Sequence, residues 1–315
     1  MPMTCLQSRL PALQEHPDRR RQRIRVRPIL GPSHDQPAFR VLDDETQNLV
    51  EITEVDEDGD VPTVRVRNPL DTPVLLIDGQ GLVGAKQNRI LNTDVMVPAK
   101  TTLDVPVSCV EQGRWRYDQP KFRTAGSASH RVRRRKLDRM ASSLREHQGH
   151  DADQGEVWAQ VRASLDKTKT RSRSEALHDA YAARDRDLSA YREAFELPEQ
   201  AVGAAVFVGT ELQGIDLFDR HSTLAFAWRS LVDGYALEHL DDPVDPEKAE
   251  PAPEDRTVPR VLERAAAGTW QRYDSPGLGD DWRLADAAYA GAALVLDDEH
   301  LVHLQLMPKT GTDDA

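Results

Sequence analysis

Two short runs constrain this chain more than any other feature: Arg-Ile-Arg-Val-Arg at 23–27 and Thr-Val-Arg-Val-Arg at 63–67. Both alternate with period two, which puts aliphatic side chains on one face of an extended segment and arginines on the other. Such runs predict half-buried strands. Residues 73–78 (PVLLID) lack the alternation and read as a strand covered on both faces, and 95–97 and 103–108 continue the series across the turn residues Pro98-Ala99-Lys100. An antiparallel β-rich domain over 23–125 follows, after a flexible N-terminus over 1–22.

Beyond Tyr117 the pattern changes. A Gly-Ser-Ala-Ser stretch at 126–129 leads into Arg131, Arg133, Arg134, Arg135, Lys136 and Arg139, so 126–150 reads as a basic hinge or loop. From Asp153 the period is helical: Asp153 and Glu156 have capping-box spacing before the stripe Val157, Trp158, Val161 and Leu165. Ser172 and Glu175 repeat that signal before Leu177, Tyr181, Leu188, Tyr191 and Phe195, and Leu224, Trp228, Leu231 and Tyr235 mark a further helix. Between them, 204–209 (AAVFVG) reads as a buried strand. Four prolines among acids make 240–256 an exposed linker. Beyond it, 258–267 suits a helix, and 292–296 can pair with 301–306, Val302, Leu304 and Leu306 facing one way and Leu301, His303 and Gln305 the other. The fold class is therefore α+β: the N-terminal β-rich domain, then a helical region and a small α/β C-terminal portion over 151–315.

Composition narrows the function classes. A length of 315 residues allows about two domains. Acids outnumber bases 53 to 41, for a net charge of -12, which argues against a wholly basic nucleic-acid binder. The longest weakly polar stretch, 287–296, is far short of the roughly 20 residues that cross a bilayer. No apolar leader core occurs in the first 24 residues, so cytoplasmic residence is expected. Cys5 and Cys109 alone make neither a disulfide framework nor a cysteine-rich zinc site. The ten histidines are scattered, with neither HExxH nor a deaminase pattern, so no metal and no cofactor are expected.

Residues 75–117 carry the chemistry: LLIDGQGLVGAKQNRILNTDVMVPAKTTLDVPVSCVEQGRWRY. Gly79, Gly81 and Gly84 surround a strand end, where glycine permits tight turns or close approach to a ligand; tight turns are the simpler explanation. Neither a dinucleotide fingerprint nor a Walker loop is present. Lys86 and Arg89 supply positive charge suited to phosphate, and Gln87 and Asn88 add donors and acceptors. Were 86–91 a strand, Lys86, Asn88 and Ile90 would share one face and Gln87 and Arg89 the other. The competing reading is a polar network that satisfies buried backbone groups. Cys109 and Glu111 would share a face of an extended segment, but a carboxylate disfavours a thiolate, so Cys109 reads as a buried structural cysteine and only then as a nucleophile. Glu111 is the candidate catalytic base, against a salt bridge with Arg89 or Arg114. Arg114, Trp115, Arg116 and Tyr117 interleave cations and aromatics, which suits a phosphate beside a stacked purine or, alternatively, a plain strand with inward-facing rings.

Two passages, GLVGAKQNRILNT and VPVSCVEQGRW, resemble the prokaryotic ARG and Rhodanese-Phosphatase-superfamily-associated Protein domain. That resemblance implies a role, suggested by gene neighbourhood, in NAD and ADP-ribose metabolism. It carries motif positions onto Lys86, Gln87, Asn88, Arg89 and Asn92 and onto Cys109, Glu111, Gln112, Gly113, Arg114 and Trp115. The resemblance also implies a departure: many relatives have an acid in the turn where this chain has Gln80, and an amide cannot act as a general base. The function expected is recognition of an ADP-ribose-like or other nucleotide-derived phosphate ligand, with hydrolytic processing as an option. Lys86 and Arg89 would take phosphates, Gln87 and Asn88 orient the ligand, Glu111 meet ribose or a water, and Trp115 stack; Gln80, Asn92, Gln112 and Arg114 complete the binding set. The alternative is a non-enzymatic scaffold whose basic surface docks an acidic partner or RNA. Eleven basic residues against three acids over 112–147 make Arg131–Arg139 the place for nucleic acid, although a solvated charged segment is the simpler reading.

Overall fold

The computed structural model describes residues 3–34, 36–56, 62–243 and 257–309. The expected acidic linker therefore lies, from residue 244 onward, outside the described residues. Within them the fold is α+β, built on a nine-stranded antiparallel sheet and a six-stranded one joined by a three-stranded ribbon.

The large sheet runs in the order Gln14–Glu15, Ile24–Leu30, Ala201–Val208, Glu211–Phe218, His300–Pro308, Tyr289–Leu296, Asp280–Ala285, Thr269–Asp274, with Arg19–Arg21 paired onto Ile24–Leu30. The alternating run at 23–27 takes its expected conformation: Ile24 and Val26 are buried, while Arg25 and Arg27 lie on the other face and ion-pair with Asp18. Its partner is distant in sequence, with Val26 opposite Val206. This pairing crosses the boundary expected near residue 125, because the buried strand Ala201–Val208 has two edges of unsatisfied backbone and needs a strand on each.

The N-terminus also departs from expectation. Residues Thr4–Arg9 form a helix that buries Leu6 against the helix Val258–Ala267 and the large sheet, and Arg9 donates to the carbonyls of Phe218 and Leu301. Apolar burial and two carbonyl acceptors order a segment whose composition suggested flexibility.

The six-stranded sheet has the order Phe122–Ser127, Gln80–Gly84, Arg89–Leu91, Thr101–Cys109, Thr63–Asn68, Glu51–Glu54. A ribbon of Val95–Val97, Val74–Leu76 and Arg40–Val41 packs with it around Val64, Val66, Leu82, Val105 and Phe122. The last pair of that ribbon is parallel. Val74–Leu76 is fully covered, as its unbroken apolar run requires.

Further helices pack against the two sheets. Asp153 caps the helix Gln154–Lys167 by accepting from the Glu156 N–H, and Val157, Val161 and Leu165 are its buried stripe. The stripe at 177–195 is split into Leu177–Ala183 and Asp185–Ala194, while His221–Ala236 is one helix. The span 126–150 is not a hinge or loop: it contains the end of the strand Phe122–Ser127 and the helix His130–Arg145. Val132, Leu137, Met140 and Leu144 bury one face of this helix, and Arg133 and Lys136 go inward with them. The charge run therefore misreports exposure, because two of its cations have buried carboxylate partners.

Candidate functional site

The motif occupies a hairpin. Gln80–Gly84 pairs with Arg89–Leu91, which pairs in turn with Thr101–Cys109, placing Cys109 opposite Arg89. On its other side Gln80–Gly84 pairs with Phe122–Ser127 through an irregular register. Gly81 explains itself there, since a Cβ would stand 2.1 Å from the Ala125 carbonyl oxygen. The close approach that glycine allows is to a neighbouring strand. Gly84, at φ +118, opens the turn into Ala85.

The turn from 85 to 88 is not a strand, so Lys86 and Asn88 do not share a strand face. A brace fixes it instead. Arg114 donates to the carbonyls of Ala85 and Gly84 and to Asn88 Oδ1, and the same Asn88 oxygen accepts from the Gly84 N–H. Glu111 closes the brace: it accepts from Arg114 Nε at 2.9 Å and Nη2 at 2.7 Å, from Ser174 Oγ at 2.7 Å and from the Asn88 N–H at 3.0 Å. Burial pushes the Glu111 carboxyl up, but the donors from Arg114, Ser174 and Asn88 outweigh it and hold it below the ordinary carboxylate value. A carboxylate held this way is built to stay an anion, which makes it a weak proton acceptor.

Above the brace lies a cation and aromatic shelf. The Lys86 ammonium is 5.3 Å from the centroids of both Trp115 and Tyr117, and the Arg89 guanidinium is 5.7 Å from Trp115. Trp115 and Tyr117 are among the few exposed large apolar side chains of the described residues, at 48% and 50% exposure. Arg89 is fully buried beneath them; it donates to Gln87 Oε1 at 2.6 Å and stands 4.0 Å from Glu54 Oε2. Among the described residues its Nε and Nη2 have no hydrogen-bond partner, nor has Glu54 Oε2.

The remaining expected site residues lie elsewhere. Gln112 is exposed and accepts from Arg162. Cys109 is buried, its thiol bonded to the Glu111 backbone, while Gln154 takes the Cys109 N–H and donates to its carbonyl. Asn92 accepts from Ser108 and donates to the His150 carbonyl inside the protein. Gln80 accepts from the Ile77 N–H and lines, with Asp78, Thr124, Ser127, Phe226 and Leu231, a cavity of about 100 Å³.

Beneath that cavity is a set of buried charges that the sequence reading passed over. Lys136 donates to both oxygens of Asp78 at 2.6 Å and to the Asn92 carbonyl at 2.9 Å. Asp94 accepts from the Asp78 N–H at 2.8 Å and lies 2.9 Å from His303 Nδ1. Asp216 holds Arg133 and stands 3.4 Å from His303 Nε2. Arg283 donates to Asp281 and Thr93, and His150 shares the same carboxylate. Burial alone would depress His303, but Asp94 and Asp216 together raise its pKa to about 9. The signal was present: Asp78, Asp216, His303 and Gln305 are polar residues within otherwise apolar strand runs, where each requires a partner.

Among the described residues no group of three or more His, Cys, Asp or Glu is arranged to hold a metal, and no helix is long and apolar enough to cross a membrane. No curated protein and no solved structure is significantly similar to this chain. The paired motif passages, the hairpin they build and the match of residues 13–307 to the family profile agree: the chain belongs to the ARG and Rhodanese-Phosphatase-superfamily-associated Protein domain family.

Proposed function

We propose that the protein recognises a nucleotide-derived phosphate ligand, ADP-ribose-like in class, at the shelf of Lys86, Trp115 and Tyr117. One observation carries this reading: two half-exposed rings stand over a buried cation, both 5.3 Å from the same ammonium. Exposed aromatic faces offer a stacking surface to a purine, worth ~1–3 kcal/mol per base. Lys86 and the exposed Arg116 supply charge for the phosphates, and the Glu111–Arg114 brace keeps the turn in place. Hydrolysis would ask Glu111 to act as base, and its filled acceptors favour recognition over turnover.

Thermal unfolding with ADP-ribose, NAD and AMP tests the proposal. A ligand at 100 times its dissociation constant adds about 2.7 kcal/mol of stability. Trp115→Ala and Lys86→Ala are expected to remove the shift while preserving the unliganded melting temperature within a few degrees. No shift with any of the three ligands overturns the reading.

The scaffold alternative has less surface than the sequence suggested. Arg133 and Lys136 are interior, Arg131 meets Glu238, and Arg135 faces Glu156 at 3.7 Å.

A further inference from the structure

Away from the motif hairpin, a second cavity of about 180 Å³ opens between the end of the helix His130–Arg145 and the edge of the large sheet. At ~30 Å³ per water its volume corresponds to about six waters. Its lining includes three cations: Arg145, Arg283 and Lys309. Among the described residues the one acid in the lining is Asp286, and that carboxylate is already taken. It accepts from Arg264 Nε and Nη2, at 2.9 and 3.1 Å, and from the N–H groups of Ala288 and Tyr289.

The cations are less committed. Arg283 is 1% exposed, yet among the described residues only its Nη2 is used, in bonds to Asp281 and Thr93, and Nε and Nη1 have no hydrogen-bond partner. Arg145 donates to the Ala141 carbonyl and to Ser142 Oγ on its own helix. Among the described residues Lys309 pairs with a half-exposed carboxylate, Asp138, at 3.6 Å. A buried guanidinium with unfilled N–H groups is costly unless an acceptor reaches it.

We infer that this cavity is an anion site for a phosphate group, either inorganic phosphate or a phosphomonoester, bound by Arg145, Arg283 and Lys309. Three cations with one neutralised acid select negative charge, and guanidinium groups match the tetrahedral oxygens of phosphate. The site also touches the motif. Arg283 Nη2 donates to Thr93 Oγ1 at 3.0 Å, and Asp281, which accepts from both, also meets His150, whose carbonyl accepts from Asn92. This inference does not depend on the shelf.

Isothermal titration with inorganic phosphate and with AMP, at matched ionic strength against chloride, tests it. The protein is expected to bind phosphate, and Arg145→Ala/Lys309→Ala to weaken binding by about tenfold or more, as loss of two charge-assisted contacts implies. Both substitutions remove side chains at the cavity's accessible rim, so an unchanged melting temperature without phosphate checks the fold. AMP binding that falls in the same double variant identifies a phosphomonoester as the occupant; phosphate binding alone identifies the free ion. Phosphate binding that is absent, that survives in the double variant, or that is lost in Lys86→Ala instead, overturns the inference. Failure of the shelf reading shows separately, as nucleotide binding insensitive to Trp115→Ala.

Discussion

Lys136 shows how far a side chain's surroundings can reverse its sequence reading. In a run of six basic residues it looks like solvated charge, yet it is 1% exposed and sits on Asp78 at 2.6 Å. Burial lowers its pKa, opposed by the Asp78 charge. Removing one member of such a pair leaves an uncompensated buried ion, which costs about 3–5 kcal/mol, while replacing both with neutral groups costs far less. Lys136→Met is therefore expected to destabilise by about that amount and Asp78→Asn/Lys136→Met by markedly less, measured by urea unfolding as a double-mutant cycle. Equal losses in single and double variants would sink the idea that the pair is the unit. Glu111 teaches the same lesson with the opposite outcome: its neighbour Arg114 was visible in sequence, but Ser174 and the Asn88 N–H were not.

Helix boundaries depend on nearby residues, and those were the most legible elements. Asp153 and Glu156 announced the helix Gln154–Lys167, and Asp153 Oδ1 does accept from the Glu156 N–H at 3.2 Å. The reciprocal half of the capping box is absent, because the Asp153 N–H goes to Asp151. Asp153 also has φ 58, a left-handed value that aspartate adopts more readily than alanine. Asp153→Ala is expected to cost about 1 kcal/mol and Asp153→Gly only a few tenths, read from the urea midpoint. The helix His130–Arg145 was harder to see, since a Gly-Ser lead-in and a charge run mask its apolar stripe of Val132, Leu137, Met140 and Leu144.

Across the whole molecule, two buried histidines set opposing limits on stability with pH. His303, held by Asp94 and Asp216, has its pKa raised to about 9, against about 6.5 in an unfolded chain. Its stabilisation is fully present below pH 6.5 and is lost as pH rises through 9. His130 is depressed to about 3, chiefly by burial and then by Arg134. Its contribution is present above pH 6.5 and is lost as pH falls toward 3, because the unfolded chain takes up a proton that the folded one refuses. Stability is expected to peak near pH 6.5, with a fall on the order of 3 kcal/mol from His303 on the alkaline side. Denaturant unfolding between pH 5 and 9.5 checks this, and His303→Gln should flatten the alkaline limb while leaving the acid limb. An alkaline slope unchanged in that variant would remove His303 as its cause.

The sequence by itself determined several of the local conformations and the family. Period-two runs made Ile24–Leu30 and Thr63–Asn68 strands, a capping residue began the helix Gln154–Lys167, and two motif passages named the family, because each depends on residues close in sequence. Tertiary structure alone decided which distant segments meet. It set Ile24–Leu30 against Ala201–Val208, drew Arg133 and Lys136 inward to Asp216 and Asp78, and divided the motif residues between a shelf, a brace and the interior. The physical reason is that burial and charge pairing depend on what packs across a long loop, and no local pattern records the partner.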